Sequence, residues 1–165
     1  MISQANHELL DHLLNHAIDL SIRHVDRGGL PFTALVVDGH GRILGTGVNE
    51  VAALSDPTAH AEVMAIRNAC QCQHTTRLNG ATLIASGEPC ALCYLAALWV
   101  GIGQVVFAAD RHAAAKAGFD YRGSYALFAV DPINGPLRVH HHCTYRACEP
   151  FNLWLEQRAK TGRSP

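Results

Sequence analysis

Charge is scarce in this sequence. Asp, Glu, Lys and Arg make up 16% of its 165 residues, and the formal net charge is −1. A protein that grips a nucleic-acid polymer carries a basic excess or patch, because contacts with phosphate supply much of the affinity. The densest basic stretch here is Arg158, Lys160 and Arg163 in the tail, so no nucleic-acid polymer is expected as partner. An apolar run of transmembrane length is also missing, and no membrane partner is expected. The segment Met1 to Glu8 lacks a basic stretch followed by an apolar one. No signal peptide is expected, and the cytoplasm is the expected location. Repeats, low-complexity tracts and linkers are absent too. Residues 1–165 therefore read as a single domain, long enough to bury a core. The six cysteines then read as reduced thiols or metal ligands rather than as a disulfide framework.

What is present is apolar patterning of two periods. Leu10, Leu13, Leu14, Ala17 and Ile18 recur at helical spacing, which predicts an amphipathic helix over residues 4–26, ended by Gly28-Gly29. Phe32 to Val37 and Ile43 to Val48 flank the turn-rich Asp38-Gly39-His40-Gly41-Arg42 and predict a β-hairpin. Asp56-Pro57-Thr58 supplies helix-start chemistry for a helix from Ala59 to Cys72, with Asp or Thr as the cap. Thr82 to Ala85 and Gln104 to Ala108 read as strands on either side of Ala91 to Val100. That segment is apolar on nearly every side, as a helix buried on a sheet should be. Strand, helix and strand in this order form a parallel βαβ unit. Beyond it, Ala113 to Ala117 reads as a short helix and Leu127 to Val130 as a strand. A C-terminal helix is expected just after Pro150. The sum is an α/β sandwich: a mixed sheet with helices on both faces.

Two short stretches carry the chemistry. His60-Ala61-Glu62 is followed, thirty residues on, by Pro89-Cys90-Ala91-Leu92-Cys93. One imidazole and two thiolates hold a zinc ion on three sides and leave its fourth position for water, the arrangement of a catalytic site. Zinc brings the pKa of bound water to roughly 7 in favourable sites. Glu62, two residues after the His, is the candidate proton carrier for that water. The pattern H-x-E with P-C-x-x-C is the signature of zinc-dependent base deaminases. Cys90 and Cys93 share one face at a helix start, where the helix dipole favours thiolate. His60 and Glu62 would not share a face of a regular helix, so periodicity alone does not bring both to the metal.

Each residue has a plainer reading when taken singly. His60 fits a capping or surface histidine, Glu62 a solvated acid, and Cys90 and Cys93 core thiols or half of a zinc knuckle. A second donor-rich stretch, His140-His141-His142-Cys143 with Cys148, could complete a structural four-ligand site with Cys90 and Cys93. That set leaves His-Ala-Glu without a purpose, and the His140–His142 run reads as an exposed segment. Cys70 and Cys72 read as packing residues.

At these residues the chain resembles the cytidine and deoxycytidylate deaminase superfamily, and within it the small bacterial guanine deaminases. The likeness extends to Pro31-Phe32, Gly47-Val48-Asn49, Asp56-Pro57-Thr58-Ala59-His60-Ala61-Glu62, Glu88-Pro89-Cys90 and Ala115-Lys116-Ala117-Gly118-Phe119-Asp120. It implies a three-layer α/β/α sandwich on a mixed, mainly five-stranded sheet, one zinc per chain and a homodimer. It also implies a C-terminal segment, about residues 140–165, that caps the site or swaps between subunits. The implied substrate is a small amino-heterocycle, guanine going to xanthine and ammonia. The alternatives are cytosine, a nucleoside or another cyclic amidine such as an amino-triazine. Outside enzymes, the alternative is a zinc-stabilised interaction module. By the same resemblance Asn49 bonds the base, Phe32 packs on its ring and Trp99 lies near the pocket. Ala61, Asp120, Tyr121 and Glu149 complete the substrate-side candidates. Similar guanine deaminases carry a second acid directly after Gly-Phe-Asp. Tyr121 stands there instead, and Glu149 is the candidate replacement.

Overall fold

The computed structural model describes residues 4–128, 131–134 and 137–161. Helix α1 spans Gln4–Asp26. Strands β1 (Thr33–Val37) and β2 (Ile43–Val48) follow, then a short helix α2 (Val51–Leu54) and helix α3 (Ala61–Cys72). Strand β3 (Thr82–Gly87), helix α4 (Ala91–Val100) and strand β4 (Gln104–Ala109) form the βαβ unit. Helix α5 (Arg111–Lys116), strand β5 (Arg138–His141) and helix α6 (Glu149–Thr161) close the chain.

The five strands lie in the order β2-β1-β3-β4-β5. β1 pairs antiparallel with β2 and β3, whereas β3–β4 and β4–β5 are parallel. The sheet is therefore mixed. Its central strands are apolar at successive positions because both faces are covered. Ala34 and Val36, Leu83 and Ala85, and Val105 and Phe107 face α3 and α4. Leu35 and Val37, Ile84, and Val106 and Ala108 face α1, α5 and α6. That is the strand period of two, written into two cores. Leu14 and Ile18 of α1 are fully buried against the second face, each contributing roughly 1.5–3 kcal/mol. The outcome is the three-layer α/β/α sandwich with helices on both faces.

Three local expectations need correction. The Asp56-Pro57-Thr58 stretch does not cap α3. Asp56 Oδ1 accepts from the Thr58 N–H (2.8 Å) and hydroxyl (2.7 Å), forming a turn before the helix, and His60 takes the cap position. Of the strand expected at Leu127–Val130, Ala129 and Val130 lie outside the described residues, and Leu127 closes a 3-10 helix. The edge strand is instead β5, which contains His140 and His141. His142 after it is buried, so the histidine run is not simply an exposed segment.

Helix α3 sits unusually close to β2. A Cβ at Gly47 would lie 2.2 Å from the Ala61 carbonyl oxygen and 2.3 Å from the Ala65 nitrogen, and one at Gly45 2.4 Å from the Ala69 nitrogen. Ala61, Ala65 and Ala69 recur every four residues on one helix face. Strand and helix therefore meet backbone to backbone, with no side chain between them. Gly47→Ala should destabilise the fold by about 3 kcal/mol, read by thermal or denaturant unfolding. Gly39→Ala, whose added Cβ meets nothing within 4 Å, should stay within about 0.5 kcal/mol of wild type. Equal stabilities of the two variants would contradict the close contact.

Candidate active site

His60 and Cys90 both stand just before a helix. His60 is extended (φ −66°, ψ 152°) at the cap of α3, and Cys90 is extended (φ −73°, ψ 175°) at the cap of α4. Neither side chain caps its own helix, so both are available to a ligand. Because His60 lies outside the helical turn, its ring is released from the 3.6-residue period and reaches the same point as Glu62. This settles the problem that helical spacing poses for the pair.

The two helix starts converge. His60 Nδ1 lies 3.4 Å from Cys90 Sγ and 3.6 Å from Cys93 Sγ, and the two sulfurs are 3.7 Å apart. A tetrahedral zinc with ordinary bond lengths has N···S edges of about 3.6 Å and S···S edges of about 3.8 Å. The triangle therefore fits that ion without rearrangement. Among the described residues it is the only group of three His, Cys, Asp or Glu donors whose ligating atoms all lie within 4.8 Å of one another. Two sulfurs and one imidazole suit zinc rather than a hard, oxygen-seeking cation.

The electrostatics match a metal-binding and proton-handling cluster. The Cys90 thiol is lowered to about 4, first by a hydrogen bond from Cys93 and further by His60. His60 is raised, chiefly by its bond to Cys90. Cys93 is pushed up by its bond to Cys90 and by burial. Glu62 is buried, with Oε2 3.2 Å from Cys93 Sγ. Burial, and then the Cys90 charge, raise its carboxyl to about 7. Such a group exchanges a proton readily at neutral pH.

A cavity of about 270 Å3 opens onto this cluster, near the lower end of small-molecule pockets. Its lining includes Phe32, Asn49, His60, Glu62, Cys90 and Tyr121. Phe32 is held edge-on by Phe119 (5.1 Å between ring centroids) and by Phe151 of α6 (5.4 Å). Asn49 Oδ1 accepts from the Val51 N–H at 3.3 Å, so this residue organises the start of α2 as well as lining the cavity. Tyr121 donates its hydroxyl to the Glu88 carbonyl at 2.6 Å. Asp120 is at the rim, paired with Arg122 at 2.7 Å and lowered to about 2 chiefly by that bond.

Three candidates lie elsewhere. Trp99 is 81% exposed on the outer side of α4 and is not among the lining residues. The uniform apolarity of α4 hides which side meets the sheet. Glu149 turns to Arg146, 3.0 Å away, and does not line the cavity. Its place at the start of α6 puts it beside the connection it braces. Ala61 is fully buried, packed on Gly47 rather than facing the cavity.

The cavity also contains Leu30, Phe119 and Glu88, which the sequence reading did not place among the site residues. Glu88 is buried and fully engaged. It accepts from the Arg111 backbone N–H at 2.7 Å and from its guanidinium at 2.9 and 2.5 Å. Arg111 also reaches Asp131 at 2.9 Å and stacks over the Tyr125 ring at 3.7 Å. This network pins the turn that carries Cys90. The adjacency Glu88-Pro89-Cys90 was the available signal, but its partner Arg111 is 23 residues away, beyond the reach of any local pattern.

The model of the cytidine and deoxycytidylate deaminase zinc-binding region matches residues 7–109. Guanine deaminase of Bacillus subtilis is 42% identical over 150 residues, covering 90% of this chain and 94% of that protein. The tRNA-specific adenosine deaminase of Haemophilus influenzae is 33% identical over 126 residues, covering 73% of each. The X-ray structure of the Bacillus subtilis guanine deaminase superposes with a TM-score of 0.68 at 34% identity, over 88% of this chain and 93% of that one.

Cys90→Ala and Cys93→Ala should each lose bound zinc. Cys143→Ser, at an exposed thiol outside the triangle, should retain it. Metal content after gel filtration checks this, and full retention in the first two variants would remove them as ligands.

Proposed function

Because the chain belongs to the cytidine and deoxycytidylate deaminase family, we propose that it is a zinc-dependent hydrolase converting guanine and water to xanthine and ammonia. The observation that carries this is the meeting of the His60–Cys90–Cys93 triangle, the buried Glu62 and a base-sized cavity at one point. His60, Cys90 and Cys93 would hold the metal, which when bound would supply a Lewis acid that makes water nucleophilic near neutral pH. Glu62 takes the proton of the attacking water and passes it to a ring nitrogen; it then takes the proton of the newly added hydroxyl and delivers it to the departing amine, leaving the carbonyl and ammonia. Phe32 and the His60 ring are the flat walls for the base. With Asn49 Oδ1 held by Val51, its amide N–H groups are what the ring edge meets.

Tyr121 is a wall and not a proton carrier. Burial raises its phenol well above the usual range, and its hydroxyl is committed to the Glu88 carbonyl. Proton handling therefore falls to Glu62, with Asp120 at the rim. The near-neutral charge favours a free base over a nucleic-acid polymer. We also assign one domain, a cytoplasmic location and a homodimer. No helix of the described residues is long and apolar enough to cross a membrane. Leu92, Leu95, Leu98 and Trp99 leave an exposed apolar face on α4, of the kind that marks association. The C-terminal segment acts from behind the cavity, where Phe151 braces Phe32. The same brace supplied by a partner would be the swapped form.

One panel tests the reaction. Wild type should release ammonia from guanine faster than from guanosine, cytosine, cytidine, adenine or amino-triazines. Glu62→Gln should keep zinc while turnover falls at least about a hundredfold. Tyr121→Asp should change the guanine rate. Near-normal turnover in Glu62→Gln would remove its role, and an unchanged Tyr121→Asp would remove Tyr121 from specificity. No ammonia from any compound would favour the zinc-stabilised interaction module. For assembly, wild type should sediment as a dimer and Leu95→Glu as a monomer; a monomeric wild type would end the dimer assignment.

A further inference from the structure

The histidine run holds something that the zinc centre does not use. His140 and His141 point to opposite faces of β5. His141 stacks on Phe107, 5.1 Å between ring centroids, and its Nε2 bonds the Ala108 carbonyl at 2.9 Å. His140 pairs in register with Val106, whose side chain belongs to the core under α1. His142, whose N–H still bonds the Phe107 carbonyl at 3.1 Å, follows on the same side. Facing them are His7 and Asp11 of α1, four residues apart and so on one face of the helix. His142 Nε2 lies 2.6 Å from Asp11 Oδ1. The His142 ring centroid is 5.4 Å from that of His7 and 5.7 Å from that of His140. None of these four residues lines the cavity.

The ring-to-ring spacing approaches that of a metal site. Two imidazoles on one tetrahedral ion, with M–N near 2.0–2.1 Å, place their ring centres roughly 5 Å apart. The His7–His142 and His140–His142 ring pairs are already close to this separation. What remains is rotation of the exposed His7 and the half-buried His140, and a small opening of the His142–Asp11 contact to admit the ion. Burial, then the nearness of His142 and His7, lower the pKa of His140, which favours the neutral form that ligates.

We propose that His7, Asp11, His140 and His142 form a second metal site, for a divalent ion with affinity for imidazole such as Zn2+, Ni2+ or Cu2+. The ion clasps the N-terminal helix to the edge strand. It would extend a tie already present: Arg146 reaches Asn15 at 3.2 Å and Asp19 at 2.8 Å, one and two helical turns further along α1 from Asp11. Both ties hold the C-terminal segment to α1, so occupancy should stabilise the fold without touching the cavity.

The test is a Ni2+ titration of untagged protein that carries one zinc per chain, with both metals counted in the same sample. The expected result is one nickel bound per chain, zinc retained and a higher melting temperature. His7→Ala and His140→Ala should each weaken nickel binding at least about tenfold and keep the zinc. His141→Ala and Cys143→Ser should bind nickel as wild type does. Three results would overturn the site: no nickel bound, nickel bound only as zinc is displaced, or nickel lost with His141 or Cys143 but not with His7.

Discussion

Everything at the site depends on the contact between the backbone of α3 and the backbone of β2. Gly45 and Gly47 on the strand, against Ala61, Ala65 and Ala69 on the helix, leave no room for a Cβ between them. Such a contact is stiff, because a packed interior has no slack to absorb an added methyl group. It sets the height at which α3 begins, and therefore where His60 and Glu62 sit. The sheet carries that position across β1 to β3, and β3 delivers Cys90 from the other side. Ligand distances a few tenths of an ångström from a tetrahedron thus follow from glycines at the far end of the chain of contacts.

The second constraint is electrostatic. Two thiolates, an imidazole and a carboxylate are gathered in a largely buried place, and burying unpaired charge is costly. Mutual hydrogen bonds and burial separate these groups, lowering Cys90 and raising Cys93 and Glu62. A dication held by His60, Cys90 and Cys93 would compensate both thiolates and leave Glu62 as the one mobile proton site. The buried Glu88–Arg111 pair does a different job. Both oxygens of the Glu88 carboxylate are taken up by Arg111, tying the turn before α4 to the start of α5, so this acid in the cavity wall is structural.

Sequence reading went furthest where chemistry and period coincide. His60, Cys90 and Cys93 were legible because a zinc ion would take those residue types at those spacings, and Glu62 was singled out by standing two residues after that histidine. The central strands and α1 were legible because two covered faces leave a near-continuous apolar trace. Trp99 was misplaced because hydropathy does not separate a side facing the core from a side facing solvent or a partner. Glu149 was misplaced because a carboxylate near a site on paper pairs with whichever cation its helix start presents, here Arg146. β5 was hidden because Arg138, His140 and His141 do not look like a strand. Its place is set by pairing with β4 at the sheet edge, a long-range contact with no local trace. Leu30 and Phe119 reach the cavity by tertiary packing alone.

The chemistry rests on an open zinc centre with mixed sulfur and nitrogen ligands. Zinc K-edge X-ray absorption on protein with one zinc per chain measures it directly. The expected spectrum shows two sulfur neighbours at about 2.3 Å and two nitrogen or oxygen neighbours at about 2.0–2.1 Å, one from His60 and one exchangeable. A closed shell of three or four sulfurs, or one without sulfur, would contradict it.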